Sequence, residues 1–195
     1  VIMKKILLMS LILCMAMDMN AQDFIITNFE DGKTEYVITS GGGAAANCSA
    51  VVVDDPTGGD NKALKVQLYS TNAFPVFHVK LPEGKTLGDY RGFSMQVYLI
   101  DRGNGGNVQM YLGQWEDGDA PSRNATRGMM KINASWSPES KLDKWSPATY
   151  MFTDMNVSGN LLTDADKAMN EFNLAYGLAV SRGCRYFIKD IKLIE

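Results

Sequence analysis

Trp115 and Trp136 stand where their ring chemistry could be used. Trp115 sits in the run Gln114-Trp115-Glu116-Asp117, directly after the apolar stretch Val108 to Leu112. Trp136 sits in a polar stretch, Asn133-Ala134-Ser135-Trp136-Ser137-Pro138. An indole in polar surroundings either covers a core or meets a ligand. Aromatic faces stack on the apolar faces of pyranose rings, while amides and acids hold hydroxyls. Trp115, Trp136, Tyr111, Gln114, Glu116, Tyr69 and Asn133 therefore form the candidate binding set. Most of them lie in or beside the long polar stretch from Glu116 to Lys144, and loops of that length are usually functional or mobile.

Bond-breaking chemistry has less support. Hydrolysis of a glycosidic bond needs two carboxylates facing each other across it. Glu116, Asp117 and Asp119 are close in sequence but do not form a recognisable pair of that kind. The single histidine, His78, falls on a strand, which leaves no plausible serine or cysteine triad.

The elements that must position these residues read as strands. Leu64, Val66 and Leu68 alternate with Lys65, Gln67 and Tyr69, and Phe77, Val79 and Leu81 with Val76, His78 and Lys80. Period two is the mark of a strand with one buried face. Tyr69 and His78 belong to the solvent side, where they could line a concave sheet face; for His78 taken alone, an ordinary surface histidine is the favoured reading. Near the end, Phe172, Leu174, Tyr176, Leu178 and Val180 alternate with smaller or polar residues. Ser181-Arg182-Gly183 then suggests a turn and Tyr186 to Leu193 a second strand, together a closing hairpin. Ile188 and Ile191 are three apart, so both face the core only if a bulge near Lys189-Asp190 adds a residue. Thr163 can cap a short helix over Asp164 to Asn170. About ten short strands and one minor helix predict an all-β antiparallel sandwich.

The first residues stand apart. Lys4 and Lys5 precede an apolar run, Ile6 to Met17, and Met19-Asn20-Ala21 offers a small residue for cleavage before Gln22. Charged, then apolar, then small is the pattern of a secretory signal segment. The run is too short to span a bilayer; a buried N-terminal helix is the alternative reading. Residues 1–21 are thus expected to be a signal peptide, and 22–195 a single domain able to bury a core. Leu11-Ile12-Leu13 before Cys14 lacks the small residue usual before a lipidated cysteine, which favours a soluble exported protein, periplasmic, cell-surface or extracellular. The net charge of −3 gives no electrostatic footprint for nucleic acid. Export permits a disulfide between Cys48 and Cys184; two free buried thiols are the alternative.

Certain motifs recur in a familiar order: Phe29-Glu30-Asp31-Gly32, Ala63-Leu64-Lys65-Val66, Gly92-Phe93-Ser94, Lys144-Trp145 before Tyr150-Met151-Phe152, and Tyr186-Phe187-Ile188-Lys189-Asp190-Ile191-Lys192-Leu193. The chain resembles jelly-roll carbohydrate-binding modules with a galactose-binding-like fold, especially those attached to or inserted in family-10 xylanases of gut Bacteroidetes. The signal ending Asn20-Ala21-Gln22 resembles exported proteins of that phylum. The resemblance implies a jelly roll, a core packing role for Trp145, and an ending of aromatic, Ile, Asp, then Asp or Asn, Ile. Here Lys189 stands at the first acidic place and Asp190 at the second. Related jelly rolls often carry a structural calcium where the first and last strands meet, and Glu30, Asp31 and Asp190 are its candidate ligands; solvated turn carboxylates are the other reading.

These readings predict a non-catalytic module for a plant polysaccharide such as xylan or another β-glucan. It could stand alone, beside a glycoside hydrolase, or in a truncated or split xylanase gene, since a catalytic barrel needs about 250 residues. A structural or protein-interaction sandwich without a sugar site is the alternative, and a small glycan-cleaving jelly roll a third.

Overall fold

The computed structural model describes residues 22–30, 36–40, 48–69, 73–101, 108–113, 130–134, 142–152, 164–178 and 183–195. One sheet holds β1 (Phe24–Thr27), β3 (Cys48–Asp54), β4 (Lys62–Leu68), β6 (Gly92–Asp101), β9 (Trp145–Met151) and β11 (Arg185–Ile194). The other holds β2 (Tyr36–Ser40), β5 (Ala73–Lys80), β7 (Val108–Gly113), β8 (Met130–Ala134) and β10 (Glu171–Leu178). The first sheet runs β3-β4-β11-β6-β9 in space, with β1 paired to β11; the second runs β2-β5-β10-β7-β8. Pairing between these strands is antiparallel throughout. A one-turn helix at Asp164–Lys167 and a 3-10 turn at Leu87–Asp89 complete the described elements. The protein is the all-β antiparallel sandwich that the alternation predicts.

The core lies between the sheets. Leu64 and Val66 from β4, Phe93 from β6 and Ile191 from β11 meet Phe77 and Val79 from β5 and Leu174 from β10, all fully buried. Leu178, expected among them, has its side chain outside the described residues.

Three expectations are corrected. First, β10 and β11 are not a hairpin. β10 pairs with β5 and β7, whereas β11 pairs with β4, β6 and β1. Each carries one strongly apolar face, and a sandwich buries two such faces by setting them in opposite layers.

Second, Cys48 and Cys184 are both free and buried. Leu68 is the register partner of Cys48, and on its other side its N–H donates to the Cys184 carbonyl at 2.9 Å. β4 thus runs between the two cysteines, and two strand spacings come to about 9–10 Å. A disulfide needs Cα atoms within about 7 Å.

Third, Trp145 is not in the core. It is the register partner of Tyr98, whose other partner is Phe187, on the face of the first sheet turned away from the second. Tyr98 packs edge-on to Trp145 at 5.5 Å between centroids and to Phe187 at 5.8 Å. This outer ladder anchors the loop after β3. Trp145 Nε1 donates to Asp55 Oδ1 at 3.0 Å, and Lys189 Nζ lies 4.5 Å from the centroid of the Trp145 ring.

The expected bulge is present. Lys189 pairs with Gln96 but Lys192 with Ser94, a register shift, and Asp190 between them has φ 52. The extra residue lets Ile188 and Ile191 both reach the core, each fully buried. β1 and β4 follow one another along the same edge of β11: β1 pairs near Ile191 to Leu193 and β4 near Arg185 to Ile188.

Candidate functional site

The core residues of the second sheet define its outer face. Phe77 and Val79 on β5 and Phe172 and Leu174 on β10 point into the core, so the intervening positions belong to the outer face. Register partners in an antiparallel pair share a face. One row across the sheet runs His78, Asn173, Gly113. The next runs Val37, Val76, Ala175, Tyr111, Lys131, and the third runs Gly177, Gln109, Asn133. Two of the expected site residues, Tyr111 and Asn133, thus belong by backbone register to one face of adjacent strands, together with Asn173 and His78.

His78 is the centre of a polar network there. Its Nε2 lies 2.7 Å from Glu171 Oε1 and its Nδ1 lies 3.1 Å from Asn173 Oδ1. An ionised carboxylate only accepts, so Glu171 makes Nε2 the donor. The Nδ1 contact then has two forms. The imidazolium donates to Asn173 Oδ1, or the neutral ring accepts from Asn173 with its amide turned over. The His78 and Glu171 side chains are about half exposed, 53% and 46%. Such an ion pair contributes little to stability, but it presents acceptors and donors side by side at solvent. Val76, on the same face, is buried, so the face is covered at that point.

The other expected site residues do not gather here. Tyr69 is 47% exposed but follows β4, in the first sheet. Gln114, Trp115, Glu116 and Trp136 lie outside the described residues. β7 ends at Gly113 beside the start of β8, and β8 ends at Ala134 beside the start of β7. Glu171 and Asn173 were absent from the expected set. Their signal was present in the polar side of the β10 alternation, but the pairing with His78 is made by strands 95 residues apart at Asn173.

Of the calcium candidates, Glu30 and Asp190 lie among the described residues. Glu30 Oε1 accepts the Lys62 N–H at 2.9 Å, joining the end of β1 to the start of β4. Asp190 is exposed at the bulge, and Asp31 lies outside the described residues. Calcium takes about six to eight oxygen ligands. Among the described residues, no group of three or more His, Cys, Asp or Glu side chains is placed to hold an ion. Nor, among these residues, is any helix long and apolar enough to cross a membrane.

No family model and no curated protein matches this chain. Solved structures do. The family 11 carbohydrate-binding module of a cellulosomal cellulase of Clostridium thermocellum superposes with TM-score 0.57 at 16% identity, over 89% of this chain and 95% of that one. A family 30 carbohydrate-binding module of another cellulosomal cellulase of Clostridium thermocellum gives TM-score 0.55 at 13% identity, over 89% and 98%. The xylan-binding domain from Paenibacillus barcinonensis gives 0.52 at 11%, over 88% and 94%. What they share is the fold. This chain has the β-sandwich on which those modules are built.

Proposed function

We propose that the chain is an exported, non-catalytic carbohydrate-binding module that holds a plant polysaccharide, such as xylan or another β-glucan, against the outer face of the second sheet. The observation that carries this reading is the His78–Glu171–Asn173 network, set on that face with Tyr111 one row and Asn133 two rows along the register from His78 and Asn173. Carboxylate, amide and imidazole supply the donors and acceptors that sugar hydroxyls require, and Tyr111 supplies an aromatic ring type for stacking. The sandwich shared with three carbohydrate-binding domains supports the same reading. The module would serve a glycoside hydrolase by keeping it near its substrate.

Isothermal titration with xylo- and gluco-oligosaccharides tests this. Binding should be weak and insensitive to salt, because a neutral sugar brings no charge to screen. Asn173→Ala and Tyr111→Ala should weaken it, Trp115→Ala or Trp136→Ala should also do so if the loops complete the site, and Tyr69→Ala should not. Absence of binding to any glycan on a broad array, or binding that survives both Asn173→Ala and Tyr111→Ala, discards the proposed face.

A further inference from the structure

Glu195, one residue past β11, gives both carboxylate oxygens to nitrogen. Oε2 accepts from the Gln22 backbone nitrogen at 2.7 Å and Oε1 from Lys85 Nζ at 2.6 Å. Beside it, Lys192 Nζ meets Asp23 Oδ2 at 2.6 Å, and the β1–β11 ladder begins with Phe24 opposite Leu193. The bonds from Lys85 and from the Gln22 backbone hold the Glu195 carboxyl below its ordinary range. An acceptor this committed to positive charge is placed at one backbone nitrogen. That nitrogen belongs to the residue directly after the small-residue position Ala21, behind the charged and apolar run of Lys4 to Met17.

We propose that the Ala21–Gln22 bond is a processing site, and that Glu195 is the receptor for the ammonium that cleavage creates on Gln22. In the hydrolysis, the oxygen of water joins the Ala21 carbonyl carbon and the C–N bond breaks. The Gln22 nitrogen leaves as an amine, gaining a proton. An α-amino group has a pKa of about 7.7–8.0, so at neutral pH it takes a further proton from solvent and becomes ammonium. Before cleavage, Gln22 offers Glu195 one neutral N–H; afterwards it offers a full charge with three donors. A hydrogen bond becomes an ion pair, flanked by Lys85, and it fastens the start of β1 to the end of β11 only in the processed chain. This rests on the signal-segment reading and is independent of sugar binding.

Two measurements test it. The intact mass of protein recovered after export from a bacterial host expressing the whole chain should show a first residue of Gln22 with a free amine. A different first residue overturns the proposal. So does a Gln22 cyclised with loss of ammonia, because the lactam nitrogen carries no charge. In purified protein, three forms are compared: one beginning at Gln22, one beginning at Ala21, and one beginning at N-acetylated Gln22. The Gln22 form should melt about 1–3 °C above the other two, and Glu195→Gln should erase the difference. Equal melting of the three forms, or a difference that persists in Glu195→Gln, overturns it.

Discussion

Lys189 Nζ lies 2.6 Å from Asp55 Oδ2, an ion pair beneath the outer ladder of the first sheet whose side chains are only 15% and 1% exposed. Asp55 Oδ1 takes the remaining donors: the Thr57 N–H at 2.8 Å, the Thr57 hydroxyl at 2.6 Å and Trp145 Nε1 at 3.0 Å. The resemblance puts an acid at the place of Lys189. Here a cationic side chain meets an aspartate from the loop after β3, so the charge at this spot is balanced within the chain.

This pair predicts an acid limb to stability. Burial pushes the Asp55 carboxyl up, but the bonds from Lys189, Thr57 and Trp145 outweigh it and hold the folded group well below the ordinary range. A depressed folded pKa means that the stabilisation is present above the unfolded pKa of about 3.9 and is lost as pH falls below it. Denaturant unfolding across that range should show stability dropping, with a shallower drop in Asp55→Asn. Lys189→Met leaves the aspartate buried and unpaired and should cost about 3–5 kcal/mol at neutral pH.

Asp190 sits at φ 52, in the left-handed region where a side chain is disfavoured by roughly 1–2 kcal/mol. Asp190→Gly should therefore leave stability nearly unchanged or raise it slightly, while Asp190→Val should lower it by about that amount. Thermal melts of the two variants read this directly. A Val variant as stable as the Gly variant would mean that the bulge is not held in this conformation.

Much of the fold was legible because one face of each strand is buried and period two records it. Leu64-Val66-Leu68 and Phe77-Val79-Leu81 gave both the strands and their inward faces, and the three-residue spacing of Ile188 and Ile191 gave the bulge. What the alternation does not carry is which layer a strand joins. Phe172 to Leu178 and Tyr186 to Leu193 carry the pattern of a hairpin, and only the long-range pairing of β10 with β5 and β7 and of β11 with β4 and β6 sets them in different sheets. Trp145 was misplaced for a related reason: an aromatic at a strand start fits either face, and only Asp55 and Lys189 explain why it faces outward. Of the candidate site, Tyr111 and Asn133 were legible only as residue types suited to a sugar, and the His78–Glu171–Asn173 contact depends on β5 lying beside β10, which no local pattern states.

The core makes a conventional prediction. Leu174 is 1% exposed at the centre of β10. Leu174→Ala should cost about 2–5 kcal/mol by leaving a cavity between the sheets, read as a lower denaturant midpoint with an unchanged slope.

The cysteines make another. Burial pushes the Cys48 and Cys184 thiols up to about 12, so neither is a ready nucleophile in the folded state. A thiol reagent at pH 8 should find both unreactive in native protein and both free after unfolding without reductant. Recovery of no free thiol among residues 22–195 after such unfolding would mean that the two had bonded, against the strand order seen here.

The proposal that the second sheet carries the ligand is tested most directly by backbone amide NMR during titration with a xylo- or gluco-oligosaccharide. The expected result is a set of saturable shifts on β5, β10, β7 and β8, strongest near His78, Asn173 and Tyr111, with β3, β4 and Tyr69 unmoved. Shifts confined to the first sheet, or none at saturating oligosaccharide, would contradict it.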